Sequence, residues 1–193
     1  MTATTAVRWW PLVGLAGLVA LGLVVGKGTT PLDAWFTRTG EEHPLLGRLL
    51  FFTDGRLVFV AWAIVLAATL FRRRWRFAAV VVATPLAAVA SARLFKRLFG
   101  RLSDGALAYP SGHTTLAVVV LGLAVLTAGV AVWSVATAAV LAVFGLLGQA
   151  FTYHYFTDTI GAVFLGTSLV CVAAWAGRLD RCQPHCDLSH NCG

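Results

Sequence analysis

The sequence predicts an all-α membrane protein, a polytopic bundle of about six transmembrane helices. Hydrophobic residues make up 59% of the 193 and charged residues only 12%, whereas a soluble domain carries roughly a quarter of its residues charged. The apolar residues fall in long runs, and the charges stand almost entirely between them. A hydrocarbon core of about 30 Å takes roughly 20 residues at the helical rise. No polar, Pro- or Ser-rich linker divides the chain, so residues 1–177 are expected to form one transmembrane domain, followed by a cytoplasmic tail over residues 178–193.

The first span is expected over residues 9–25. Arg8 precedes it, as a basic residue precedes a signal peptide, but the run is long enough to cross and has no small-residue cleavage site, so the helix is retained. Residues 26–56 form a connection holding Pro31, Asp33, Trp35, Phe36, Glu41, Glu42 and His43. Two readings of that mixture stand open: an amphipathic helix at the interface that caps a site or gates lipid access, or a solvated loop with aromatic belt residues. Spans at 57–71 and 77–94 flank Arg72, Arg73, Arg74 and Arg76, a cluster that the positive-inside bias assigns to the cytoplasmic face. Further spans follow at 114–126, 131–151 and 159–176. Those at 57–71 and 114–126 are short for a full crossing and are expected to extend into their flanks.

Counting spans from the arginine cluster puts both termini in the cytoplasm and the protein in the cell (inner or plasma) membrane. It also brings three connections, 26–56, 95–113 and 152–158, to the periplasmic or exterior face. The middle one carries Lys96, Arg97 and Arg101, against the positive-inside trend. Cations on that side require a local anion, and phosphate is the simplest. The net charge of +7 does not point to nucleic acid, because the basic residues lie in short clusters without a continuous stripe or interleaved aromatics. Membrane lipids and lipid phosphates are the expected partners.

The same topology gathers the chemistry. His113 opens one span and His154 lies just past the end of the next, so two antiparallel helices return the second histidine to the face of the first. Lys96 follows the end of the preceding span. Asp158, four residues after His154, shares a face with it if the segment is helical. Ionisable residues at membrane depth are costly and mark functional sites. In Tyr109-Pro110-Ser111-Gly112-His113, Pro110 and Ser111 are helix-start signals. Free N–H groups at that helix start make an anion site, Gly112 allows close backbone approach and Ser111 adds a hydroxyl donor.

Phosphoryl transfer needs donors around the equatorial oxygens, an in-line nucleophile and an acid for the leaving oxygen. Asp158 beside one ring nitrogen leaves the other free, which makes His154 the nucleophile. His113, beside the anion site, is then the general acid. Neither a metal nor another cofactor is required. Two histidines and an aspartate match zinc's donor types, but Lys96 and an anion nest suit a dication poorly.

These residues resemble the type 2 phosphatidic acid phosphatase family, membrane enzymes that share a histidine phosphatase core with vanadium haloperoxidases. Pro110-Ser111-Gly112-His113 is similar to the family's central motif. His154 with Asp158 resembles the His-x-x-x-Asp end of its third motif, and Lys96 resembles the lysine that opens its first. The resemblance runs over residues 93–166, and the span count and order are similar to the family's six-helix bundle. It implies a phosphohistidine intermediate at His154, acid catalysis by His113 and a site facing the periplasm or exterior. The chain departs from the pattern twice. Where the first motif has an arginine seven residues after the lysine, Ser103 stands, followed by Asp104 instead of proline. Where the third motif has a serine-arginine pair, Leu147 and Gly148 stand. Arg101 and Arg97 lie near enough to supply the missing phosphate contacts, and with Lys96, Ser111 and Gly112 they make up the expected phosphate-binding set.

The expected function is hydrolysis of a phosphomonoester or pyrophosphate on a lipid or polyprenol. A phosphotransferase using the same site, a catalytically weak lipid-phosphate binding or flipping protein, and a helical scaffold are the rivals. In the tail, Cys182, His185, Cys186, His190 and Cys192 offer zinc donors at a spacing unlike common fingers; the alternative is a disordered tail. Cys171, in an apolar run, is expected to be a small core residue.

Overall fold

A computed structural model of the protein describes residues 3–103 and 105–177. The expected zinc ligands of the tail, and Asp104, lie outside the described residues. The fold is an all-α bundle of seven helices among those residues: α1 (Ala3–Val25), α2 (Pro31–Glu42), α3 (Gly55–Phe71), α4 (Trp75–Phe99), α5 (Gly112–Ala128), α6 (Val132–Thr152) and α7 (Phe156–Ala176). A 3₁₀ segment, Pro44–Thr53, leads into α3. A two-stranded hairpin, which the sequence did not announce, pairs β1 (Leu102–Ser103) antiparallel with β2 (Ala106–Leu107) between α4 and α5.

Five stretches are long and apolar enough to cross a membrane, namely Val7–Val25, Pro44–Phe71, Trp75–Phe99, Val132–Thr152 and Phe156–Ala176. They and the shorter α5 coincide with the six runs expected from the sequence. The short second run gains its length from the 3₁₀ segment. At 17 residues, α5 is about 25 Å long at the helical rise. It is the central helix, packed against α3, α4, α6 and α7. Its Val119 and Leu123 are fully buried with Val81 and Phe77 of α4 and Ala173 of α7. The outward faces stay apolar, with Val24, Ile64 and Leu86 exposed, as lipid rather than water requires.

The helix ends sort into two groups. At one end Arg72 donates from Nη1 to the carbonyl of Thr127 at 2.7 Å, tying the arginine-rich turn after α3 to the last turn of α5. At the other end the three connections expected on one face do meet. Arg101, after α4, bonds to Gly28 before α2 and to Thr157 and Asp158 at the start of α7.

Of the two readings of residues 26–56, the helix stands. Thr30 caps α2 by accepting the N–H of Asp33 at 3.1 Å, the Asp33 carboxylate reaches back to the N–H of Thr30 at 3.1 Å, and Pro31 occupies the first turn. The helix packs on α6 and on the start of α7: Phe36 lies against Phe151 of α6 at 4.9 Å between centroids and stacks on Phe156 of α7 at 4.4 Å.

Candidate active site

A cavity of about 720 Å³ opens at the end of the bundle where the three connections meet. Its polar wall is formed by Arg93 and Lys96 from α4, Ser103 from β1, Gly112 and His113 from α5, and Tyr153 and His154 from the turn between α6 and α7. The sequence placed Lys96, Gly112, His113 and His154 together, and they do share this cavity.

Each is held by local structure. Gly100, at φ +60°, ends α4 in the left-handed conformation that favours glycine and turns the chain into the hairpin. The hairpin returns Leu107 to the last turn of α4, where its carbonyl accepts a 2.7 Å bond from Lys96 Nζ. His113 is the second residue of α5, next to Gly112, at a helix start whose first N–H groups have no intrahelical acceptor. His154 lies in a turn, its N–H donating to the Gln149 carbonyl at 2.9 Å.

His154 and Asp158 were expected to share a helical face; they meet differently. Helix α7 starts only at Phe156, and the Asp158 carboxylate reaches back to the N–H of Tyr155 at 3.3 Å. This leaves His154 Nδ1 at 3.7 Å from Asp158 Oδ2. The nitrogen is buried with no hydrogen-bond partner, and the separation is beyond hydrogen-bond length but within ion-pair range. Catalytic hydrogen bonds are often long in an unliganded site and shorten when substrate binds. The Asp158 carbonyl also accepts the N–H of Ser111 at 3.1 Å, joining the two histidine-bearing segments.

Asp158 is fully buried and so is its main partner, Arg101. Arg101 Nη1 donates to Asp158 Oδ1 at 2.6 Å and to Thr157 Oγ1 at 2.7 Å. Its Nη2 donates to Asp33 Oδ2 and to the Gly28 carbonyl, both at 2.8 Å, and its Nε to the same carbonyl at 3.1 Å. The guanidinium carbon sits 4.4 Å from the Tyr155 ring centroid. Asp33 is fully buried as well and accepts the Thr157 N–H at 2.9 Å. Burial pushes the Asp33 carboxyl up, but the N–H groups of Thr157 and Thr30 and the Arg101 guanidinium outweigh it and hold the group below its ordinary value of 3.8. Tyr109, in the loop before α5, is pushed up by burial and by the charge of Asp158. It stays a neutral donor to the Leu18 carbonyl.

Three members of the expected phosphate-binding set stand elsewhere. Arg101 does not face the cavity, because its donors are spent on two buried carboxylates, a hydroxyl and a carbonyl. Arg97 is exposed and does not line the cavity. Ser111 is fully buried as the cap of α5, its Oγ accepting from Thr114 N and Oγ1 at 3.4 and 3.1 Å. Gly148 stands where the resembled motif has an arginine, and a Cβ there would lie 2.4 Å from the Leu49 backbone. No side chain fits between α6 and the 3₁₀ segment at that point.

Sequence reasoning missed Arg93. The signal was its spacing, three residues before Lys96 and therefore on the same face of α4. A second cavity of about 90 Å³, lined by Thr37 and by residues 150–155, shares Ser103, Tyr153 and His154 with the first. Among the described residues, no three His, Cys, Asp or Glu side chains lie close enough together to hold a metal ion. In comparisons with known proteins, the chain matches no family model, no curated protein and no solved structure.

Proposed function

We propose that the protein is an integral membrane lipid-phosphate phosphatase, similar to the type 2 phosphatidic acid phosphatases, that hydrolyses a phosphomonoester or pyrophosphate of a lipid or polyprenol. One observation carries this reading: a single cavity in an apolar helix bundle is lined by Lys96, His113 and His154, with Asp158 directly behind His154.

In this reading Lys96 and the N–H groups at the start of α5 hold the phosphate oxygens. His154 keeps its proton on Nδ1, toward Asp158, and attacks phosphorus through the Nε2 lone pair. The bond from phosphorus to the leaving oxygen breaks as His113 gives that oxygen a proton, so the alcohol or phosphate leaves neutralised. Asp158 offsets the positive charge that the phosphorylated imidazole acquires. Water then attacks phosphorus, His113 takes its proton, the phosphorus–nitrogen bond breaks and inorganic phosphate departs. The arginine cluster at the opposite end of the bundle supports a periplasmic or exterior site through the positive-inside bias.

The test is phosphate release in mild detergent from phosphatidate, phosphatidylglycerol phosphate and polyprenyl mono- and diphosphates, with chelator present. Release that survives chelator and is lost in His154→Ala and His113→Ala is expected. The burial of Arg101 and the placement of Arg97 outside the cavity favour one rival, a lipid-phosphate binding protein with little turnover. That rival requires tight binding of the same lipids without release.

A further inference from the structure

We infer that Arg93 binds the phosphate of the ligand from the membrane side of the cavity. This assignment rests on the proposed reading of the cavity as a phosphate site. Arg93 lies inside α4, in a stretch apolar enough to cross a membrane, and it is exposed to the cavity rather than packed in the bundle. It makes no ion pair or hydrogen bond among the described residues. A guanidinium at that depth is costly unless an anion meets it. No described carboxylate lines the cavity, whose charged and titratable lining is Arg93, Lys96, His113, Tyr153 and His154. No described residue supplies that anion, and the phosphate of the ligand does.

The layout also orients the ligand. Lys96, His113 and His154 stand where the connections meet, and Arg93 lies one turn further into the bundle along α4, about 4.5 Å at the helical rise. Deeper again the wall is apolar, formed by Val89 and Ala92 of α4 and Leu116 of α5. A phosphate ester of a long apolar alcohol fits this gradient, with its phosphate between Arg93 and the histidines and its chain against Val89 and Leu116. Lys96 already donates to the Leu107 carbonyl, so Arg93 is the cation of the wall with all its donors free for such a ligand. Its planar fork suits bidentate contact with phosphate oxygens.

The experiment measures binding in the His154→Ala background, where turnover is absent, with dodecyl phosphate and with inorganic phosphate as separate probes. Arg93→Gln is expected to weaken dodecyl phosphate binding at least tenfold. Arg97→Gln, which removes the same charge from a nearby exposed position outside the cavity, is expected to stay within twofold. Arg93→Lys should recover part of the loss, because charge returns without the fork. An equal loss for inorganic phosphate assigns Arg93 to the phosphate alone; a loss confined to dodecyl phosphate assigns it to the ester in its membrane-seated pose. Either supports the inference. Arg93→Gln within twofold of the parent, or an equal effect of Arg97→Gln, would overturn it while leaving the phosphatase reading intact. Absence of binding and of phosphate release in the unmutated protein would overturn both.

Discussion

Arg101 and Asp158, 57 residues apart in sequence, meet at 2.6 Å with both side chains buried. The same guanidinium holds Asp33 at 2.8 Å. One cation thus fastens α2, the hairpin and α7 together behind His154. It lies behind the cavity rather than in its lining, which other residues form.

Removing Arg101 leaves two carboxylates buried without their shared partner. Loss of one member of a buried pair typically costs about 3–5 kcal/mol. Arg101→Met is expected to destabilise the protein by that order, read as a fall in thermal midpoint in detergent. Pairing it with Asp33→Asn should restore part of the loss, because one unpaired charge is then removed. An Arg101→Met protein as stable as the parent, yet unable to bind phosphate esters, would return Arg101 to the ligand site.

Asp33 links that lock to pH. Its carboxyl lies below its ordinary value of 3.8, so the folded state favours the ionised form. The stabilisation is complete above about pH 4 and is lost as pH falls through the folded-state value. The midpoint difference between the parent and Asp33→Asn should therefore be constant from about pH 5 to 7 and shrink below about pH 4. A difference that grows on acidification would contradict this sign.

Gly148 is a contact rather than a vacant motif position. Gly148→Ala would drive a methyl group against the Leu49 and Leu50 backbone, which has no side chain to move aside. A loss of about 1–3 kcal/mol is expected from such overpacking, measured by thermal or denaturant unfolding. A neutral substitution would mean that α6 and the 3₁₀ segment separate easily.

Ser103 is the motif departure that does face the cavity. Ser103→Arg would add a guanidinium there, and one charge-assisted hydrogen bond contributes about 1.5–3 kcal/mol at best. Dodecyl phosphate is expected to bind about tenfold more tightly to Ser103→Arg, by titration calorimetry. Unchanged binding would show that β1 aims position 103 away from the phosphate.

Much of this was legible in the sequence, for reasons that differ by residue. The six apolar runs set the helices because in lipid every polar backbone group must be bonded within the chain, as a helix does. Lys96, His113 and His154 stood out as polar groups at span ends whose topology could be counted. The capping pattern of Thr30, Pro31 and Asp33 was also readable and would have settled α2 as a helix. The destination of Arg101 was not readable, since its partner Asp33 lies 68 residues away and no local pattern links them. Ser111 was readable as a helix-start residue, but not that its hydroxyl is buried in that cap and so withheld from a ligand.

The most direct test of the central claim is acid or base quenching of the protein during turnover of a phosphorus-labelled lipid phosphate. Label should remain on the protein after quenching in base, be lost in acid as a phosphoramidate is, map to His154 and be absent from His154→Ala. Phosphate release without any such adduct, or with His154→Ala still active, would contradict a covalent histidine mechanism in this cavity.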